Sequence, residues 1–167
     1  YEIISDDNDL SSNEKIIAIK SLASACGKNG MVYGQYLDIE SESKLIDKES
    51  IENIHSLKTG KLMECSVMFG QIGNTNKKAK EILNSYGKKI GLAFQITDDI
   101  LEITSDRETL GKSTDSDIKN HKSTYASVVG IDNAIEKSKS LSENAIADIE
   151  TLSSTKADML IELAKYI

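Results

Sequence analysis

The 167-residue sequence contains no proline. An average domain has about one in twenty, so a fold built on proline-marked turns is disfavoured and long helices are expected. Cysteine is nearly absent too. Cys26 and Cys65 are the only two and form no Cys-x-x-Cys pair. This excludes a disulfide scaffold or a thiolate zinc site and suits the reducing cytoplasm. No apolar run approaches the roughly 18 residues that span a bilayer, so stable membrane insertion is not expected. The opening residues carry no basic-then-apolar pattern of a secretory signal. Positive charge is in deficit, with 20 Lys+Arg against 27 Asp+Glu and a net charge of −7. A dedicated nucleic-acid binder usually needs a basic face, so that class is excluded. The length fits one domain of ordinary size over 1–167. The chain starts at Tyr1, and Tyr1-Glu2-Ile3-Ile4 reads as the tail of an apolar element, so a piece of a larger protein is expected.

Apolar periodicity predicts helices nearly throughout. Ser11-Ser12-Asn13-Glu14 has the form of a capping box and opens a predicted helix running to about Leu37. Gly27, Gly30 and Gly34 fall inside it, each costing about 1 kcal/mol against alanine. Close helix packing or room for a ligand would explain them. Ser41 to Asp47 is a polar break. A second helix carries Ile51, Ile54, Leu57, Leu62, Val67, Phe69 and Ile72, and a third runs from about Lys77 to Ile103. Ser105 to Lys122 is polar and irregular, the kind of long segment that often carries function. Two amphipathic helices come next, from Ile131 to Leu152 and from Lys156 to Ile167.

Four constellations could carry chemistry. Gln95, Asp98, Asp99 and Glu102 have i, i+3, i+4, i+7 spacing, which predicts one stripe of the third helix. Three carboxylates there repel unless a cation or water screens them. Oxygen donors of this type suit Mg²⁺, which keeps several waters and bridges to phosphates. Taken alone, such spacing is more often a solvated acidic face. Lys58-Thr59-Gly60 lies inside the second helix, Gly111-Lys112 with Asp115, Asp117 and Lys122 in the polar segment, and Gln35 with Asp38 near the end of the first helix. Each alone reads best as ordinary surface polarity.

Together they resemble one family. GLAFQITDDILE (Gly91 to Glu102) resembles the second aspartate-rich region of the trans-isoprenyl diphosphate synthases. MVYGQYLDIE (Met31 to Glu40), HSLKTGKLMECSV (His55 to Val67) and TLGKSTDSDIKNHKSTYASVVG (Thr109 to Gly130) match that family in order and spacing. The similarity covers essentially the whole chain and is closest to the bacterial short-chain synthases of the farnesyl diphosphate type. A full member is nearly twice this length, and its first half carries the first aspartate-rich motif, DDxxD, and the isopentenyl diphosphate site. Asp6-Asp7-Asn8-Asp9 is acidic but reads as loop. The resemblance therefore implies an all-α fold, the C-terminal half of the isoprenoid synthase helical bundle.

The resemblance also implies an activity. An allylic diphosphate, its substrate, is joined head to tail to isopentenyl diphosphate, with Mg²⁺ as cofactor. Asp98 is implied as a metal ligand, with Asp99 and Glu102 in support; the family usually has Asp where Glu102 stands. Lys58, Lys112 and Lys122 match diphosphate-binding lysines. Thr59 and Gln95 match polar residues near the developing cation and departing proton, Gln35 and Asp38 match polar pocket residues, and Phe94 matches an aromatic residue beside the substrate. The full-length protein is expected to be a homodimer, and the fragment alone inactive. A non-catalytic helical subunit of a heteromeric synthase is the alternative. Such subunits usually lose the aspartates, whereas Asp98, Asp99, Lys58 and Lys112 are present. A helical phosphohydrolase is disfavoured, because neither His55 nor His121 is followed by Asp.

Overall fold

A computed structural model describes residues 1–109, 123–152 and 157–167, with side chains of the longest helix described as far as Thr104. Lys112 and Lys122, with Gly111, Asp115 and Asp117, lie outside the described residues. Every element among the described residues is helical.

A short helix, α1 (Glu2–Asp6), buries no side chain. Asp7 then accepts from the amides of Asp9 and Leu10 at 2.8 and 3.1 Å, which closes the turn. The expected capping box opens α2 (Ser12–Cys26): the Glu14 carboxylate accepts from the Ser11 amide at 2.8 Å, and Ser11 Oγ from the Glu14 amide. The predicted run to Leu37 is corrected here. Gly27 to Gly30 form a turn, and α3 (Met31–Glu40) begins after it. Gly27 ends α2 in an extended conformation, as expected of a residue that loses the most entropy when held in a helix.

The second predicted helix divides into three. α4 (Lys48–His55) is capped by Asp47, whose Oδ1 accepts from the Ser50 amide at 2.8 Å. A single widened π turn, Ser56–Gly60, comes next, and α5 (Lys61–Phe69) continues from it. α6 (Lys77–Thr109) has 33 residues, so at 1.5 Å per residue it is about 50 Å long. It is the spine of the molecule, packing chiefly on α8 and α5. α7 (Tyr125–Val129), which the sequence pattern did not predict, is capped by Thr124 and separated from α8 (Ile131–Glu150) by Gly130 at φ 87°. α9 is Asp158–Tyr166.

α8 buries Ala134, Ser138, Ser142, Ala145 and Ile149. Most of these are small, so its backbone lies close to α6, and Thr97 and Ser138 share a 2.7 Å hydrogen bond across the joint. Two cores result. One joins Leu83, Tyr86 and Ile90 of α6 to Ala145, Ile149, Ala157 and Ala164. The other joins Ile96 of α6 to Ile51, Tyr125, Ala126 and Ala134.

Candidate active site

The π turn holds Lys58 and Thr59. Its closing bond runs from the Lys61 amide to the Ser56 carbonyl, five residues back. Such bulges carry one extra residue per turn and recur at functional positions. Two glycines press against it. A Cβ on Gly34 of α3 would lie 2.6 Å from the Lys58 Cα, and one on Gly91 of α6 would lie 2.7 Å from the Gly60 Cα. Gly34 is therefore explained by close packing. The turn is sandwiched between α3 and α6, and each flank offers a polar partner. Lys58 Nζ donates to Asp38 Oδ2 at 2.7 Å. Thr59 Oγ1 donates to Gln95 Oε1 at 2.7 Å.

The predicted stripe on α6 splits into two rows. Gln95 and Asp99, four residues apart, lie against the π turn and the end of α4; Asp99 is buried. Its Oδ2 accepts from the Tyr125 amide at 2.6 Å and lies 3.4 Å from His55 Nε2. Asp98 and Glu102, also four apart, are exposed. Neighbouring protein partly desolvates Asp98 and raises its carboxyl above the usual range. Among the described residues no three acidic, histidine or cysteine side chains converge on one point. A cation here would therefore need donors beyond this set, as Mg²⁺ does when it keeps waters and binds phosphate oxygens. Asp98 and Glu102 are hard oxygen donors on an open face and fit that habit. Asp99 has one oxygen already engaged.

Beside the π turn lies an apolar cavity of about 570 Å³. Lys58 and Thr59 line it with Leu62, Tyr86, Phe94 and Leu163. Phe94 stands on the cavity wall. Gln35 is on the exposed side of α3, whereas Asp38 is buried against Lys58. The sequence did not single out His55 or Tyr125 as site residues. His55 lies one turn before Lys58, a spacing visible in the sequence; the Tyr125 contact is long-range and has no local signature.

The family model described as Polyprenyl synthetase matches residues 8–163. The chain belongs to this family. Among polyprenyl synthetases, it is 37% identical to farnesyl diphosphate synthase of Escherichia coli over 173 aligned positions, covering 100% of this chain and 58% of that protein. It is 39% identical to a chloroplastic geranylgeranyl pyrophosphate synthase of Capsicum annuum, covering 90% of this chain and 41% of the other. The fold agrees. The crystal structure of an FPP/GFPP synthase from Zymomonas mobilis superposes with TM-score 0.82 at 32% identity, covering 99% of this chain and 55% of that one. A Helicobacter pylori geranyltransferase, complexed with magnesium and isoprenyl diphosphate, gives TM-score 0.79 at 29% identity, covering 99% and 54%. The chain thus spans about half the length of these relatives. No helix among the described residues is long and apolar enough to cross a membrane.

Proposed function

We propose that the chain is the C-terminal part of a cytoplasmic, homodimeric trans-prenyltransferase that joins an allylic diphosphate to isopentenyl diphosphate. One observation carries this reading beyond family membership: a basic side chain, Lys58, and a hydroxyl, Thr59, sit on the wall of a largely apolar cavity. A prenyl diphosphate has the same division, an anionic head on a hydrocarbon tail. Ile16, Ile17, Tyr33, Tyr36 and Ile39 on α2 and α3 are exposed and available to a partner surface.

The chemical difficulty is charge. A diphosphate must leave, and the allylic cation must survive without meeting water. Lys58 faces the leaving diphosphate as a fixed cation, and Lys112 and Lys122 take the same role in this reading. A bound Mg²⁺ supplies Lewis-acid neutralisation of that group. Asp98 would hold it, with Glu102 in support. Asp38 orients Lys58 through the 2.7 Å ion pair. Thr59 and Gln95, already joined, present oxygens towards the developing cation and the departing proton. The apolar wall with Phe94 excludes water.

The test is complementation. The 167-residue chain is incubated with both diphosphates and Mg²⁺, alone and joined to the N-terminal part of the Escherichia coli farnesyl diphosphate synthase. Product is expected only from the joined form, and in that form Lys58→Ala should cut turnover by about 10²–10³. Full turnover by the chain alone, or by the Lys58→Ala variant, would refute the reading.

A further inference from the structure

The buried carboxylate of Asp99, which the resemblance places in support of the metal, has its Oδ2 engaged by the Tyr125 amide. We propose that Asp99, His55 and Tyr125 act as a positioning pin that fixes the rotation of α6 against the π turn and so aims Asp98 relative to Lys58. The pin rests on that functional reading, because it serves the metal and diphosphate site.

Among the described residues, three elements meet at Asp99. Its Oδ2 accepts from the amide of Tyr125, the first residue of α7, at 2.6 Å, and lies 3.4 Å from the ring of His55, the last residue of α4. Both partners are themselves fixed. Tyr125 is fully buried, and its hydroxyl donates to Glu52 of α4 at 3.0 Å. His55 is 6% exposed and packs against the Tyr125 ring, with centroids 6.4 Å apart. His55 also directly precedes the Ser56–Gly60 turn that carries Lys58. Successive residues on a helix point about 100° apart. Holding Asp99 inward therefore obliges Asp98 to face outward, and it is exposed as required. The same rotation places Gln95, one turn earlier, within 2.7 Å of Thr59.

A metal ligand and a pin make different demands on this side chain. A ligand needs an anionic oxygen. A pin needs a hydrogen-bond acceptor of the right length. Asparagine satisfies the second and not the first.

The full-length enzyme is titrated calorimetrically with inorganic pyrophosphate at a series of Mg²⁺ concentrations, well below the melting temperature of each variant. The readout is the Mg²⁺ concentration that gives half the maximal affinity. Asp99→Asn should leave it within about threefold of the unsubstituted enzyme, whereas Asp99→Leu should raise it about 10–100-fold, the usual effect of removing a group that orients a ligand. Asp98→Asn should raise it at least as far. If Asp99→Leu does not fold, the other side of the contact gives the same test: His55→Gln should be mild and His55→Leu severe. A tenfold rise for Asp99→Asn would make Asp99 a ligand and overturn the pin, as would unchanged values for Asp99→Leu or His55→Leu. Absence of Mg²⁺-dependent pyrophosphate binding in the unsubstituted enzyme would overturn the functional reading itself. The Asp99 and His55 comparisons bear on the pin alone.

Discussion

Asp98 and Asp99 are adjacent on α6, yet one is exposed and the other buried. Their neighbours explain the difference. Asp99 faces the Tyr125 amide and the His55 ring; Asp98 shares its open row with Glu102. If Asp98 holds Mg²⁺ and Glu102 supports it from the next turn, substitutions at the two should differ in degree. Glu102→Gln keeps length and drops charge, and should cost about 10–100-fold in metal affinity or activity. Asp98→Asn should cost more, because a direct ligand is lost. Glu102→Asp should be nearly neutral in rate. The Mg²⁺ concentration for half-maximal rate in the three variants measures this. Glu102→Gln as damaging as Asp98→Asn would mean that Glu102 ligates directly.

At the scale of elements, the π turn is the feature on which the site depends. Its backbone is gripped by Gly34 and Gly91. Gly34→Ala inserts a methyl group 2.6 Å from the Lys58 Cα, and backbone cannot swing aside as a side chain can. We expect a loss of about 1–3 kcal/mol in stability, the usual cost of overpacking. The Lys58–Asp38 pair should shift with it. Urea unfolding of Gly34→Ala checks the first point; stability equal to the unsubstituted protein would show that the turn yields. Helix content is legible in the sequence because apolar periodicity and the Ser11–Glu14 box are local. The Gly27–Gly30 break is not: three glycines look tolerable inside one helix, when two of them flank a turn that ends it. The π turn is marked only by the five-residue step from Leu57 to Leu62 in the apolar pattern, an irregularity too slight to read as a widened turn. α7 escapes notice because five residues are too few to show a period. The motif residues are legible, but the burial of Asp99 depends on Tyr125, 26 residues away.

At the scale of the whole molecule, two cores share α6, and each is centred on a fully buried tyrosine. Tyr86 belongs to one and donates to the Leu160 carbonyl at 2.7 Å, tying α9 to α6. Tyr125 belongs to the other and ties α7 to α4 through Glu52. Burial pushes the Tyr86 hydroxyl up to about 12. Burial first, then the hydrogen bond and charge of Glu52, push Tyr125 to about 12 as well. A group whose folded pKa is raised contributes stability in full below its unfolded pKa, here 10.0, and loses it as pH rises through the folded value. Stability should therefore be flat with respect to these groups below about pH 10. Between about pH 10 and 12 it should fall by about 1.4 kcal/mol per pH unit for each tyrosine. Phenolate absorbance from Tyr86 and Tyr125 should therefore rise together with loss of helical circular dichroism. The Tyr86→Phe, Tyr125→Phe double variant should lose that coincidence while starting from lower stability at neutral pH, by about 1 kcal/mol per lost hydrogen bond. Helix retained while both phenolates form in the unsubstituted protein would mean that these two hydroxyls reach solvent and do not lock the two cores.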